Sequence, residues 1–179
     1  LDAKRGDIGN TSTYYANEAF DVIEADAVTV NPYMGFDSIK PFLDRKDKGI
    51  IVLCRTSNEG ANDFQQLDVA GKPLYMHVAE RVVEWNKAYG NCLLVIGATA
   101  PEQLQQIRSI APDMFFLVPG VGTQGGDVEA ILKAGLTSEK SGLIINSSRD
   151  ILYASSEEDF AQKAREKAVA LRDQINQYR

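Results

Sequence analysis

Five short apolar runs, each continuous rather than alternating, set the strongest limit on what this chain can fold into. They are Ala27-Val28-Thr29-Val30, Gly49 to Cys54, Cys92 to Ile96, Met114 to Val118 and Gly142 to Asn146. A strand with one wet face alternates apolar and polar residues. An unbroken run of strand length is buried on both faces, as in a parallel sheet covered by helices. Amphipathic stretches separate the runs. Asn10 to Ile23 predicts a first helix. Pro73 to Tyr89 places Leu74, Val78, Val82, Trp85 and Tyr89 along one stripe, with Pro73 suited to the first helical position. Pro101 opens another helix, with Leu104, Ile107 and Ile110 facing inward. Gly126 to Ala134 predicts a short helix, and Ser155 with Glu158 predicts a capping box for the last one.

With Leu1 to Ala3 read as the tail of a strand, the chain holds six βα units and no hairpin. Such repetition gives a parallel sheet with helices outside, either a doubly wound open sheet or a (β/α)8 barrel. A barrel takes eight units and about 250 residues. Six units in 179 residues are three quarters of one. No linker or low-complexity segment interrupts the pattern, so residues 1–179 are expected to belong to a single barrel domain.

A net charge of −6 argues against a nucleic-acid partner, which needs a dominant basic face, but leaves room for a local basic pocket. Cys54 and Cys92 lie in apolar runs, no metal-ligand spacing occurs, and the lone His77 has no partner for such a site. Reduced thiols in a cytoplasmic protein, and no metal, are expected. No run of about 20 apolar residues suits a membrane span.

In both architectures the working face lies at the carboxyl ends of the strands. After the first strand come Asp2, Lys4 and Asp7. In an extended backbone Asp2 and Lys4 point the same way, and an ammonium between carboxylates stays protonated. Such a lysine is a proton donor; a solvated charged turn is the plainer alternative. After Cys54 come Arg55-Thr56-Ser57-Asn58, whose hydroxyls and amide can read the edge of a heterocycle. After Val118 comes Pro119-Gly120-Val121-Gly122-Thr123-Gln124-Gly125-Gly126-Asp127. Its glycines allow backbone to approach a phosphate at the next helix N-terminus. Gly120, Gly122 and Gly125 also match a dinucleotide fingerprint, but one late in the chain and without the expected acidic ribose ligand. The last strand ends on Ser147-Ser148-Arg149-Asp150, where Arg149 is either a bidentate phosphate ligand or the partner of Asp150.

Together these motifs resemble the orotidine 5′-phosphate decarboxylase family. Asp2-Ala3-Lys4-Arg5-Gly6-Asp7-Ile8-Gly9-Asn10-Thr11 looks like its D-x-K-x-x-D-I-x-x-T signature. Asn31-Pro32-Tyr33-Met34-Gly35 and Arg55-Thr56-Ser57-Asn58 resemble loops of its bacterial type-2 branch, and Pro119 to Asp127 and Ser148-Arg149 its two phosphate loops. The resemblance implies a (β/α)8 TIM barrel and cofactor-free decarboxylation of orotidine 5′-monophosphate. Lys4 would protonate C6 as carbon dioxide leaves, with Asp2 against the substrate carboxylate. Asp7 and Thr11 would reach into a neighbouring subunit, making a homodimer. Ser57 would contact the pyrimidine, and Gln124 and Arg149 the 5′-phosphate. Ile8, Pro119 and Ser148 complete the implied substrate-binding set. The family's first two βα units, which carry a further aspartate and lysine, have no counterpart here, so the chain is expected to be a fragment, a cleavage product or an incomplete trace. A sugar-phosphate decarboxylase, an NADP-binding module and a non-catalytic phosphate-binding fragment are the rival readings.

Overall fold

In the computed structural model, which describes residues 1–121 and 127–179, the chain forms two units, Leu1–Val95 and Ile96–Arg179. The first opens on a lead-in that is laddered to the strand Ala27–Val30 at Leu1 and Arg5 and kinked at Lys4. Thr29 N donates to Leu1 O (3.0 Å), Arg5 N to Thr29 O (3.0 Å) and Asn31 N to Arg5 O (2.8 Å). Residues 1–5 therefore run parallel to β1 (Ala27–Val30), as the strand tail expected at Leu1 to Ala3 requires. β1 pairs in parallel with β2 (Gly49–Arg55), from Ala27 against Gly49 to Val30 against Val52. Ile50, Ile51 and Val52 are all buried. Successive strand residues face opposite sides, so β2 is covered on both, as its unbroken apolar run predicts.

α1 (Gly9–Asn17) continues directly into a π-turn over Glu18–Val22. The helix expected from Asn10 to Ile23 is thus present, with a widened last turn. It packs on α2 (Phe36–Leu43) through the buried Ser12 hydroxyl, which donates to Ser38 O (2.5 Å), and through an edge-on Phe20–Phe42 pair 6.3 Å apart. Six βα units imply a helix between β1 and β2, though the sequence reading names no residues for it; Pro41 lies inside it. An interior proline costs about 3 kcal/mol. Full burial of Ile39, Phe42 and Leu43, at about 1.5–3 kcal/mol each, outweighs that cost.

A second departure is a hairpin where none was expected. β3 (Asp68–Val69) and β4 (Lys72–Pro73) pair antiparallel around Ala70 and Gly71. Both turn residues have positive φ, 53° and 85°, the twist a two-residue hairpin favours. The His77 ring nitrogen lies 2.8 Å from Val69 O and ties the hairpin to α3 (Leu74–Tyr89). Pro73 caps α3 with extended backbone rather than entering it, and Gly90 ends it in the left-handed conformation. The residues α3 buries fully are Tyr75, Ala79 and Val82; of the expected stripe only Val82 is among them. β5 (Cys92–Ile96) follows, and the first unit's strands stand in the order β1, β2, β5. Cys54 and Cys92 are both buried and unpaired.

The second unit holds α4 (Pro101–Ile110), β6 (Phe116–Pro119), α5 (Val128–Gly135), β7 (Leu143–Asn146), α6 (Arg149–Leu152) and α7 (Phe160–Asn176). β6 and β7 are parallel, with Pro119 opposite Asn146. The inward face of α4 is Leu104, Ile107 and Arg108, with Arg108 taking the place expected of Ile110. This buried guanidinium donates to Gly135 O, Ala111 O, Pro112 O, Met114 O and Gly142 O at 2.6–3.2 Å and lies 3.7 Å from the centre of the Phe116 ring. Burial brings its pKa down to about 10, so it stays charged at neutral pH. β7 departs from the expectation of two covered faces, since Ile144 is 42% exposed. The Ser155–Glu158 capping box does not form. Ser155 Oγ accepts from Glu157 N (3.1 Å), and α7 starts five residues later, with Asp159 at its N-cap. Among the described residues no helix is long and apolar enough to cross a membrane.

Candidate active site

In the first unit the chemistry gathers where the lead-in meets the carboxyl end of β1. Lys4 Nζ lies 2.6 Å from Asp2 Oδ1. The extended backbone expected between them is not present: Lys4 has φ of 48°. A side chain in this left-handed region costs about 1–2 kcal/mol, and such strain concentrates at functional sites. The kink leaves the two side chains together but 51% and 66% exposed, open to a substrate. The Asp2 carboxyl is held below the ordinary carboxylate range. The Lys4 hydrogen bond lowers it most, partial desolvation opposes this, and the Thr29 hydroxyl adds to the lowering.

Asp7 departs from the expected arrangement. Its carboxylate accepts from Ile8 N (2.8 Å), and among the described residues Lys4 forms its ion pair with Asp2 rather than between two carboxylates. Ile8 is the N-cap of α1 and 56% exposed. Thr11, in the first turn of α1, is also exposed. Asp7, Ile8 and Thr11 thus lie together on an open surface of this unit.

The loop after β2, Arg55 to Asn58, is braced by two residues that sequence reasoning passed over, Asn62 and Gln65. The buried Arg55 donates to Thr56 O (2.7 Å) and Asn62 Oδ1 (3.1 Å). Gln65 clamps Thr56 twice, accepting from its N–H (2.9 Å) and donating to its hydroxyl (2.9 Å). Thr56 Oγ1 in turn donates to Asn58 Oδ1 (2.6 Å). Ser57, half-buried, therefore sits in a loop fixed on both sides. Beside it a cavity of about 710 Å³ is lined by Asn31, Tyr33, Thr56, Phe64, Leu74 and Tyr75 among others. Asp2, Lys4 and Ser57 are not in its wall.

In the second unit the parallel register places the ends of β6 and β7 side by side. The segments beginning at Gly120 and Ser147 leave from the same edge, as a shared anion site requires. Gly120 has φ of 93°, a backbone that glycine adopts without strain. Gln124, with Gly122, Gly125 and Gly126, lies outside the described residues. Asp127 caps α5 by accepting from Glu129 N (2.9 Å). Ser148 precedes α6, its carbonyl accepting from Leu152 N (2.8 Å). Arg149 opens that helix and is exposed. It forms no ion pair with Asp150 or another carboxylate among the described residues. No cluster of three His, Cys, Asp or Glu side chains suited to a metal ion occurs among the described residues.

Known proteins resemble the chain along its whole length. A family model described as "Orotidine 5'-phosphate decarboxylase / HUMPS family" matches residues 1–164. A Janthinobacterium sp. (strain Marseille) protein named orotidine 5'-phosphate decarboxylase is 59% identical over 99% of the chain, and one from Cellvibrio japonicus is 60% identical over 98%. The chain spans 66% and 64% of the length of these two relatives. Among solved structures, Leishmania donovani OMP decarboxylase superposes with a TM-score of 0.87 at 45% identity, covering 99% of this chain and 67% of that one. The Methanocaldococcus jannaschii orotidine 5'-monophosphate decarboxylase complexed with inhibitor BMP gives 0.69 at 26% identity, over 95% and 72%.

Proposed function

Since the chain belongs to the orotidine 5′-phosphate decarboxylase / HUMPS family and has the α/β architecture of part of a (β/α)8 barrel, we propose that its protein decarboxylates orotidine 5′-monophosphate to uridine 5′-monophosphate without a cofactor. The observation that carries this reading is the Lys4–Asp2 contact at 2.6 Å, open to solvent at a strand's carboxyl end. Loss of carbon dioxide from C6 leaves an electron pair on a vinyl carbon with no conjugated sink. A fixed ammonium at that position stabilises the developing charge and delivers the proton that forms the new C–H bond. Lys4 then regains a proton from solvent. Asp2 lies against the substrate carboxylate, where its charge favours departure of carbon dioxide, and it orients Lys4 through their hydrogen bond.

In the same proposal Ser57 reads the pyrimidine from its braced loop, and Ile8 and Pro119 contact the substrate. Gln124, Ser148 and Arg149 hold the 5′-phosphate, so that remote binding energy positions the reacting carbon. Asp7 and Thr11 complete a neighbouring subunit's site in a homodimer; their place on an open face of the first unit supports this. Residues 1–179 contribute about six βα units to one barrel domain. The unpaired thiols suit the cytoplasm.

The test is the loss of the substrate's ultraviolet band on mixing with purified protein. Turnover should proceed at the same rate with a chelator and without added metal or nucleotide. Activity abolished by the chelator and restored by a metal would overturn the cofactor-free reading.

A further inference from the structure

Thr29 is the one residue of β1 whose side chain takes part in the candidate chemistry, and no sequence motif marks it. It is 2% exposed, in a strand otherwise made of alanine and valine. Its hydroxyl accepts from Lys4 N (2.9 Å) and donates to Asp2 Oδ1 (2.9 Å). Its backbone grips the same segment: Thr29 N donates to Leu1 O and Thr29 O accepts from Arg5 N, each at 3.0 Å. Every polar group of this residue is therefore spent on residues 1–5.

The hydroxyl does what the backbone ladder cannot. In the ladder, Arg5 N–H takes the carbonyl of Thr29, and the left-handed turn at Lys4 (φ 48°) leaves the Lys4 N–H without a main-chain acceptor. The Thr29 hydroxyl supplies that acceptor and so holds the strained turn. Having accepted there, it directs its own proton to Asp2. The oxygen it meets, Oδ1, is the one that also receives the Lys4 ammonium (2.6 Å). One hydroxyl thus fixes the backbone of the acid and the carboxylate of its partner together. Valine or isoleucine would fill the same buried strand position and have equal strand propensity, so packing alone does not account for a hydroxyl there.

We propose that Thr29 is the positioning residue of the Lys4–Asp2 pair, setting the direction of the Lys4 ammonium toward the reacting carbon. This rests on the decarboxylase reading above. It assigns Thr29 no contact with the substrate.

The experiment compares Thr29→Val, nearly equal in volume, with Thr29→Ser, which keeps the hydroxyl. On orotidine 5′-monophosphate, Thr29→Val should lower kcat at least tenfold while KM changes less than threefold. Thr29→Ser should restore kcat to within about threefold of the unaltered protein. The acid limb of the kcat profile should move to higher pH in Thr29→Val and stay in place in Thr29→Ser, because one hydrogen bond to the Asp2 carboxylate is gone in the first alone. An unchanged kcat in Thr29→Val, or equal losses in both variants, would overturn the proposal. A second readout needs no turnover: labelling of the Lys4 amine by acetic anhydride, followed by peptide mapping. Its rate should rise at least threefold in Thr29→Val only. If the unaltered protein fails to turn over the nucleotide, the decarboxylase reading falls, and the labelling rates alone decide whether Thr29 positions Lys4.

Discussion

Asp2 and Lys4 were legible in the sequence because they lie two positions apart, and local geometry governs what they can do. Thr29 was not, because it lies 27 positions from Asp2 and sits within an apolar run that reads only as strand. Asn62 and Gln65, and the bracing role of Arg55, escaped for the same reason: the acceptors of a buried guanidinium become visible only when the chain is folded. Two expectations follow at this scale. The folded pKa of Asp2 is depressed from 3.8, so its pairing stabilises the fold above that value and the contribution is lost as pH falls through the folded value. Asp2→Asn should therefore lower the urea midpoint more at pH 7 than at pH 3; equal shifts at both would contradict the pairing. Burial pushes the Cys54 and Cys92 thiols up to about 12. Iodoacetamide at pH 8 should leave both unlabelled in the native protein and label both in denaturant, because the thiolate is the nucleophile. Arg149 is exposed and unpaired among the described residues, so Arg149→Ala should leave stability unchanged. It should weaken nucleotide binding by about 1.5–3 kcal/mol, the worth of a hydrogen bond to a charged group, and weaken nucleoside binding far less. Equal losses for nucleotide and nucleoside, measured by calorimetry, would make Arg149 structural.

At the scale of elements, long periodic segments were legible and short or interrupted ones were not. The strands from Ala27, Gly49 and Cys92 lie where their apolar runs place them, and α3 ends at its glycine. α2 was implied only by the count of βα units, and the local cost of its interior Pro41 is outweighed by burial that no local rule reports. The hairpin of β3 and β4 is too short to show a period. Arg108 shows how an element junction is held. It links the carboxyl end of α4, the end of α5 and the turns before β6 and β7 through their carbonyls. Ala111 O and Gly142 O keep backbone donors without it, from Met114 N and Phe116 N. Gly135 O, Pro112 O and Met114 O would lose the arginine's donors. Arg108→Met should then destabilise the protein by about 2–4 kcal/mol, since each buried acceptor left unmet costs about 1–3 and removing the desolvated charge offsets part. Gly142→Ala tests the same junction from the other side. A Cβ there would lie 2.5 Å from Thr137 Cγ2 and 3.2 Å from Arg108 Nη2, at φ of 84°. Backbone strain of about 1–2 kcal/mol and overpacking of about 1–3 should both appear in the chemical unfolding midpoint.

For the whole molecule, the repeating βα pattern narrowed the fold to a doubly wound sheet or a barrel, and the order of the motifs along the chain pointed to the family and with it to the barrel. What sequence reading could not supply was how each motif is braced: the left-handed Lys4, the Thr29 hydroxyl and the Gln65 clamp on Thr56 belong to packing. The central claim is that Lys4 is the acid of a cofactor-free decarboxylation, and Lys4→Ala on orotidine 5′-monophosphate tests it most directly. The account predicts that kcat falls by several orders of magnitude while nucleotide binding, measured separately, stays within about tenfold. A loss of kcat smaller than about tenfold, equivalent to ~1.4 kcal/mol of barrier, would show that another group delivers the proton.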